Sequence, residues 1–126
     1  MSKVRTDNLR GSALMFVVLS MLYGIDNVKE SAFSSVIHVR FPGSNYWSDV
    51  QVNPIFEREV SFILLEKFRF NIKNDGLTEK KWWVSYPEGI HSVEGYDLSE
   101  TIQRCYVKSI VGDHVNIPLS LVHVCR

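Results

Sequence analysis

The sequence predicts an α+β chain: an N-terminal apolar helix followed by a mostly antiparallel sheet of five or six strands. Two observations carry that expectation. Ala13 to Ile25 is the one long apolar block among the 126 residues. Much of the remainder alternates apolar and polar side chains, the period of two that a half-buried strand requires. Turn signals at Pro42-Gly43, Asn53-Pro54, Asn74-Asp75-Gly76, Pro87-Glu88-Gly89 and Gly112-Asp113 cut the chain into strand-length pieces. The organisation read from this is a helical segment over 1–30 and a single β-rich domain over 31–126. Without the first segment, the rest would be essentially all β, a sandwich or small barrel.

The apolar block has two structural readings. Lys3, Arg5 and Arg10 precede it, as basic residues precede the apolar core of a secretory signal. Gly24 is small enough to sit before a cut, although Leu22 two residues earlier is large. At thirteen residues the block is short of the ~20 that cross a bilayer as a helix. The competing reading is a core helix, capped by Asn8 or Ser12 and stopped by Gly24. The expected location is secreted or cell-envelope, with cytoplasmic as the alternative, and membrane contact only through residues 12–25.

The following elements come from periodicity and breaks. The helix can run on through Asn27 to Glu30. Ser35 to Phe41 and Tyr46 to Val52 read as strands on either side of Pro42-Gly43. Val60, Phe62, Leu64, Phe68, Phe70 and Ile72 share one parity, so 60–72 reads as a strand. Its first half is apolar on both parities, and Glu57-Arg58-Glu59 before it would equally suit a helix start. Asp75-Gly76 predicts a tight hairpin turn, with Lys81 to Tyr86 returning as the partner strand. Glu94 to Glu100 reads as a loop or one helical turn. Thr101 to Val111 and Val115 to Cys125 read as a closing hairpin, with Pro118 marking an edge or bulge.

That hairpin bears on the two cysteines. Centred at Val115 it sets Cys105 opposite Cys125, within the reach of a disulfide; a turn at Gly112-Asp113 separates them. An exported chain would pair them, closing a loop of about 20 residues that stabilises the fold by roughly 3 kcal/mol. The alternative is two buried thiols.

The residues Arg10-Gly11 followed by Ser12-Ala13-Leu14-Met15-Phe16-Val17-Val18-Leu19 resemble the leader of minor type IV pilins and pseudopilins. The resemblance implies a cut after Gly11, a mature chain that begins as a hydrophobic helix, and an assembly subunit held by that helix. Phe16 stands where the family carries a glutamate at the fifth mature position. A disulfide near the C-terminus is also a pilin feature.

Aromatic residues make up 12 % of the chain, enough for a real core. Trp82 and Trp83 are adjacent on a predicted strand, so they point to opposite faces; parity with Tyr86 favours Trp82 as the inward one. The outward ring, with Tyr86, Tyr46 and Trp47, is the candidate binding patch, for a protein interface or a sugar ring. The Asn74-Asp75-Gly76 … Trp83-Val84-Ser85-Tyr86-Pro87 stretch is similar to cellulose-binding β-sandwich modules, which implies stacking on glucose rings.

Little else points to chemistry. His38, His91, His114 and His123 form no metal-ligand spacing, no Gly-X-Ser-X-Gly elbow is present, and single glycines build no phosphate loop. No metal, cofactor or catalytic residue is expected. Fourteen basic residues balance fourteen acidic ones, without the basic stripe of a nucleic-acid binder. The function read from this is a small non-catalytic, exported or membrane-tethered binding protein that recognises a protein or a surface polysaccharide. Its alternatives are a cytosolic interaction protein, such as an inhibitor or immunity factor, and a minor-pilin-like assembly subunit.

Overall fold

The computed structural model describes residues 1–74, 81–86 and 92–125. It has mixed α+β architecture: among the described residues there are three α-helices and eight short strands, the strands arranged as three small antiparallel sheets rather than one. The predicted Asp75-Gly76 turn, the Pro87-Glu88-Gly89 break and His91 lie outside the described residues.

Helix α1, Gly11–Tyr23, is the centre of the core. Every residue from Ser12 to Leu19 is buried, so this stretch has no solvent face, as its continuous apolar sequence demands. Gly24 stops the helix at φ 96°, and its N–H donates to the Ser20 carbonyl. That backbone angle favours glycine, and the chain then makes a 3-10 turn, Ile25–Asn27, instead of continuing as helix.

The basic stretch ahead of α1 is itself structured. Strand β1, Ser2–Arg5, pairs antiparallel with β8, His114–Ile117, bringing Ser2 opposite Ile117 and Arg5 opposite His114. Thr6 extends the join, its N–H reaching Asp113 O at 2.9 Å and its hydroxyl reaching Gly112 O at 3.0 Å. Period-two reasoning missed β1 because four residues hold too little alternation to register.

The second sheet has the order β2 (Val28–Glu30), β3 (Val36–Val39), β4 (Ser48–Gln51). Both predicted strands on either side of Pro42-Gly43 are therefore present, shortened. Val28, Ile37, Val39 and Val50 point into the core beneath α1. The third sheet has the order β5 (Asn71–Asn74), β6 (Trp82–Ser85), β7 (Ser92–Gly95), with Ile72, Val84 and Val93 in one row.

Two segments read as strands are helices, the first of them where a helix start was the open alternative. Helix α2 spans Pro54–Lys67, and only Asn71 and Ile72 of the expected 60–72 strand belong to a strand, β5. Asn53 caps it, its side chain accepting from Phe56 N–H at 2.9 Å, and Pro54 occupies the first turn where no N–H is needed. Val60 and Leu64 are buried at the helical spacing of four, while Phe62, of the same parity, is exposed. Helix α3, Leu98–Val111, replaces the first strand of the expected C-terminal hairpin. Asp97 caps it through Glu100 N–H at 2.9 Å, and Gly112 ends it at φ 83°. With α2 and α3 lying within 31–126, the all-β alternative for that part is overturned.

The disulfide goes with the hairpin. Cys105 lies on the buried face of α3, and Cys125 ends the 3-10 segment Leu119–Cys125. Both are free thiols outside disulfide distance. Burial pushes the Cys105 thiol up to about 11, only partly offset by its hydrogen bonds to Ser109 and to the Tyr86 backbone and by the charge of Lys108. Burial raises Cys125 as well. Neither thiol has the lowered pKa of a reactive cysteine.

A buried polar link joins α2 to α3. Gln103 donates to the Glu57 carbonyl and to the Ser61 hydroxyl, both at 3.0 Å, and Ser61 donates to the Ser99 carbonyl at 3.0 Å. With each group satisfied, the cost of burying a glutamine is met. The described helices include none long and apolar enough to cross a membrane.

Candidate functional site

The predicted aromatic residues fall on two different sheets. Trp82 and Trp83 lie on β6, where Val84 is buried. Trp82, on the Val84 parity, is half-buried and Trp83 is 45 % exposed, as the alternation requires. Lys73 and Glu94 flank Trp83 in register, and the Lys81 ammonium sits 5.7 Å from both the Trp83 and the Tyr96 ring centres. Tyr86 belongs to the core side, packing its ring on Phe70 at 4.9 Å and on Phe68 at 6.3 Å, with Phe68 in turn 5.3 Å from Tyr106. The expected continuous patch of five aromatics is thus divided.

Tyr46 and Trp47 enter β4, on the second sheet. Because side chains alternate, the valines and Ile37 that face the core leave Lys29, His38 and Asp49 as one outward row across three strands. Trp47 and Arg40 share that parity. The Trp47 ring carries two cations, Lys29 Nζ at 4.2 Å and the Arg40 guanidinium at 5.2 Å from its centre. Arg40 is held in place by Asn27, whose side-chain oxygen accepts from Arg40 Nε at 2.9 Å. Tyr46 beside it is 72 % exposed.

His38 and Asp49 meet at 2.6 Å through Nδ1 and Oδ1. A carboxylate only accepts, so Nδ1 is the donor in this contact. The pair borders an open cleft of about 560 Å³, whose other walls include Ser31, Phe33, Val36 and Gln51. Ser31 is committed to backbone: its hydroxyl reaches the carbonyls of Phe33 and Val36, both at 2.7 Å. The contact between hydroxyl and imidazole that nucleophilic catalysis requires is therefore not made from Ser31. The face presents an indole, two cations, an oriented imidazole and an exposed Phe33.

Sequence reasoning named Tyr46 and Trp47 as binding candidates; Lys29, Arg40, His38 and Asp49, which the sheet sets on the same outward face, were not among them. The alternation of Val36, His38 and Arg40 against Ile37 and Val39 held the signal for two of them. Lys29 was assigned to the helix, which concealed its place on an outward row. Among the described residues no three His, Cys, Asp or Glu side chains converge as a metal site would need. No protein-family model matches the chain, and no curated protein matches it.

Proposed function

We propose that the chain is a small non-catalytic interaction protein that docks another protein on the outer face of the β2–β3–β4 sheet, keeping α1 as part of the folded unit. The observation that carries this reading is Trp47, half-buried on the outward side of the sheet under Lys29 and Arg40, next to exposed Tyr46. Trp, Tyr and Arg are the residues enriched at the energetic centres of protein interfaces. A cation over an indole contributes roughly 0.5–1 kcal/mol when exposed and about 2 kcal/mol once a partner removes the water. The arrangement therefore gains strength on being covered. An inhibitor or immunity-type role fits a neutral chain with such a surface. Removal of residues 1–24 would take away β1 and the helix at the centre of the core, so retention of α1 is part of the proposal.

The test is affinity capture from the native host with wild type, Trp47→Ala and Trp83→Ala, all confirmed folded by circular dichroism. One protein recovered by wild type and Trp83→Ala but lost with Trp47→Ala is the expected result. Loss with Trp83→Ala alone would move the site to the third sheet. Binding to a β-glucan with no protein recovered would replace a protein partner by a polysaccharide.

A further inference from the structure

Among the described residues strand β4 is the open edge of its sheet, with β3 as its one strand neighbour. Hydrogen-bonding direction alternates along an antiparallel strand. Val52 N–H donates to Ser35 O at 2.8 Å, toward β3, so Ser48 and Val50 also bond toward β3. The N–H and C=O of Asp49 and Gln51 are thereby directed to the open side. The opposite edge is less available, since β2 is three residues long and its Glu30 accepts from the Ser120 hydroxyl.

The open edge is also apolar at both ends. A groove of about 460 Å³ runs between β4 and the start of α2, with Phe41, Ile55 and Phe56 in its walls. Ile55 is 67 % exposed just after the strand, and Tyr46 is exposed just before it.

We propose that β4 pairs antiparallel with β4 of a second copy of this chain, joining two three-stranded sheets into one of six strands. A two-fold axis perpendicular to the sheet keeps each residue on its own face. The registers it allows are therefore centred on a residue, not between two. Centring on Asp49 sets two carboxylates opposite each other, which is unfavourable. Centring on Val50 sets Asp49 opposite Gln51 of the second copy, and Gln51 opposite its Asp49. All four outward backbone donors and acceptors of each strand then find partners. The same register carries Pro54 to the level of the second copy's Tyr46, so the exposed Ile55 and Tyr46 are covered together at both ends.

Charge favours a second copy as the occupant. Fourteen basic and fourteen acidic residues leave no net charge to drive two copies apart. Pairing along an exposed edge is the association such strands are prone to.

Sedimentation velocity on the full chain over a concentration series tests this. A concentration-dependent monomer–dimer equilibrium is expected. Gln51→Pro removes an outward N–H that β3 does not use, so it should leave a folded monomer with a near-wild-type melt. The register is tested by charge: Gln51→Lys faces Asp49 twice and should tighten the dimer by roughly tenfold, whereas Gln51→Asp should weaken it by a similar factor. A wild type that stays monomeric up to the highest soluble concentration would overturn the proposal. So would a dimer that responds equally to Gln51→Lys and Gln51→Asp, since only this register makes their effects opposite.

Discussion

Two adjacent tryptophans show how far a single residue's role follows from its parity. Trp82 lies on the Val84 side of β6 and is half-buried, while Trp83 points to solvent beside Lys81. Truncating Trp82 to Ala should destabilise the fold by roughly 2 kcal/mol, the transfer cost of an indole that is partly covered. Trp83→Ala should stay within about 0.5 kcal/mol of wild type, as exposed substitutions do. Urea unfolding of both variants measures the difference. Equal losses would mean that both rings pack against the fold. That these two side chains point to opposite faces was legible from adjacency alone, but their neighbours were not. Tyr86 is close to them in sequence, yet it packs with Phe68, Phe70 and, through Phe68, Tyr106. That cluster depends on α3, which period-two reading took for a strand.

Helices α2 and α3 were hidden at the element scale for a physical reason. Val60, Phe62 and Leu64 satisfy a strand's parity, and Val60 and Leu64 equally satisfy a helix's spacing of four. The decision rests on Asn53-Pro54 and Asp97, residues that cap a helix start, and on tertiary burial that no single window contains. Capping also sets acidic groups near one another. Glu57 in the first turn of α2 is raised from its ordinary value chiefly by burial, then by the nearby charges of Glu100 and Asp97. A carboxyl whose folded pKa lies above its unfolded one binds a proton more readily when folded. Its ionisation therefore weakens the fold, with the loss appearing as pH rises through the unfolded value and complete above the folded one. Glu57→Gln should then melt slightly above wild type at pH 7, by no more than about 0.5 kcal/mol, with the gap closing as pH falls below the ordinary glutamate value. Thermal melts at several pH values measure it. A gap that widens toward acid would show that Glu57 is stabilised as the anion.

At the scale of the whole molecule, none of the three sheets among the described residues has more than three strands, and such small sheets need a helix or a further layer over their apolar face to be stable. Helix α1 supplies that layer to β2, β3 and β8, and it packs on α3, which in turn carries β6 and β7. The apolar block at Ala13 to Ile25 was visible in the sequence from the outset; its role was not, because a basic lead and a short apolar run describe a signal and a buried helix equally well. The segment ahead of α1 is a strand bound to β8, and α1 itself has eight consecutive buried residues. Leu14 is about as buried as a side chain can be, so Leu14→Ala should cost 2–5 kcal/mol, roughly a third of the ~5–15 kcal/mol that holds a domain folded. Deleting residues 1–24 removes that contact with all its neighbours and leaves β8 without its partner strand. The shortened chain should show no cooperative thermal transition and should bind a hydrophobic dye. If it instead melts cooperatively, with native far-ultraviolet circular dichroism, α1 would be dispensable to the fold, and the reading of these residues as a signal removed after export would be favoured.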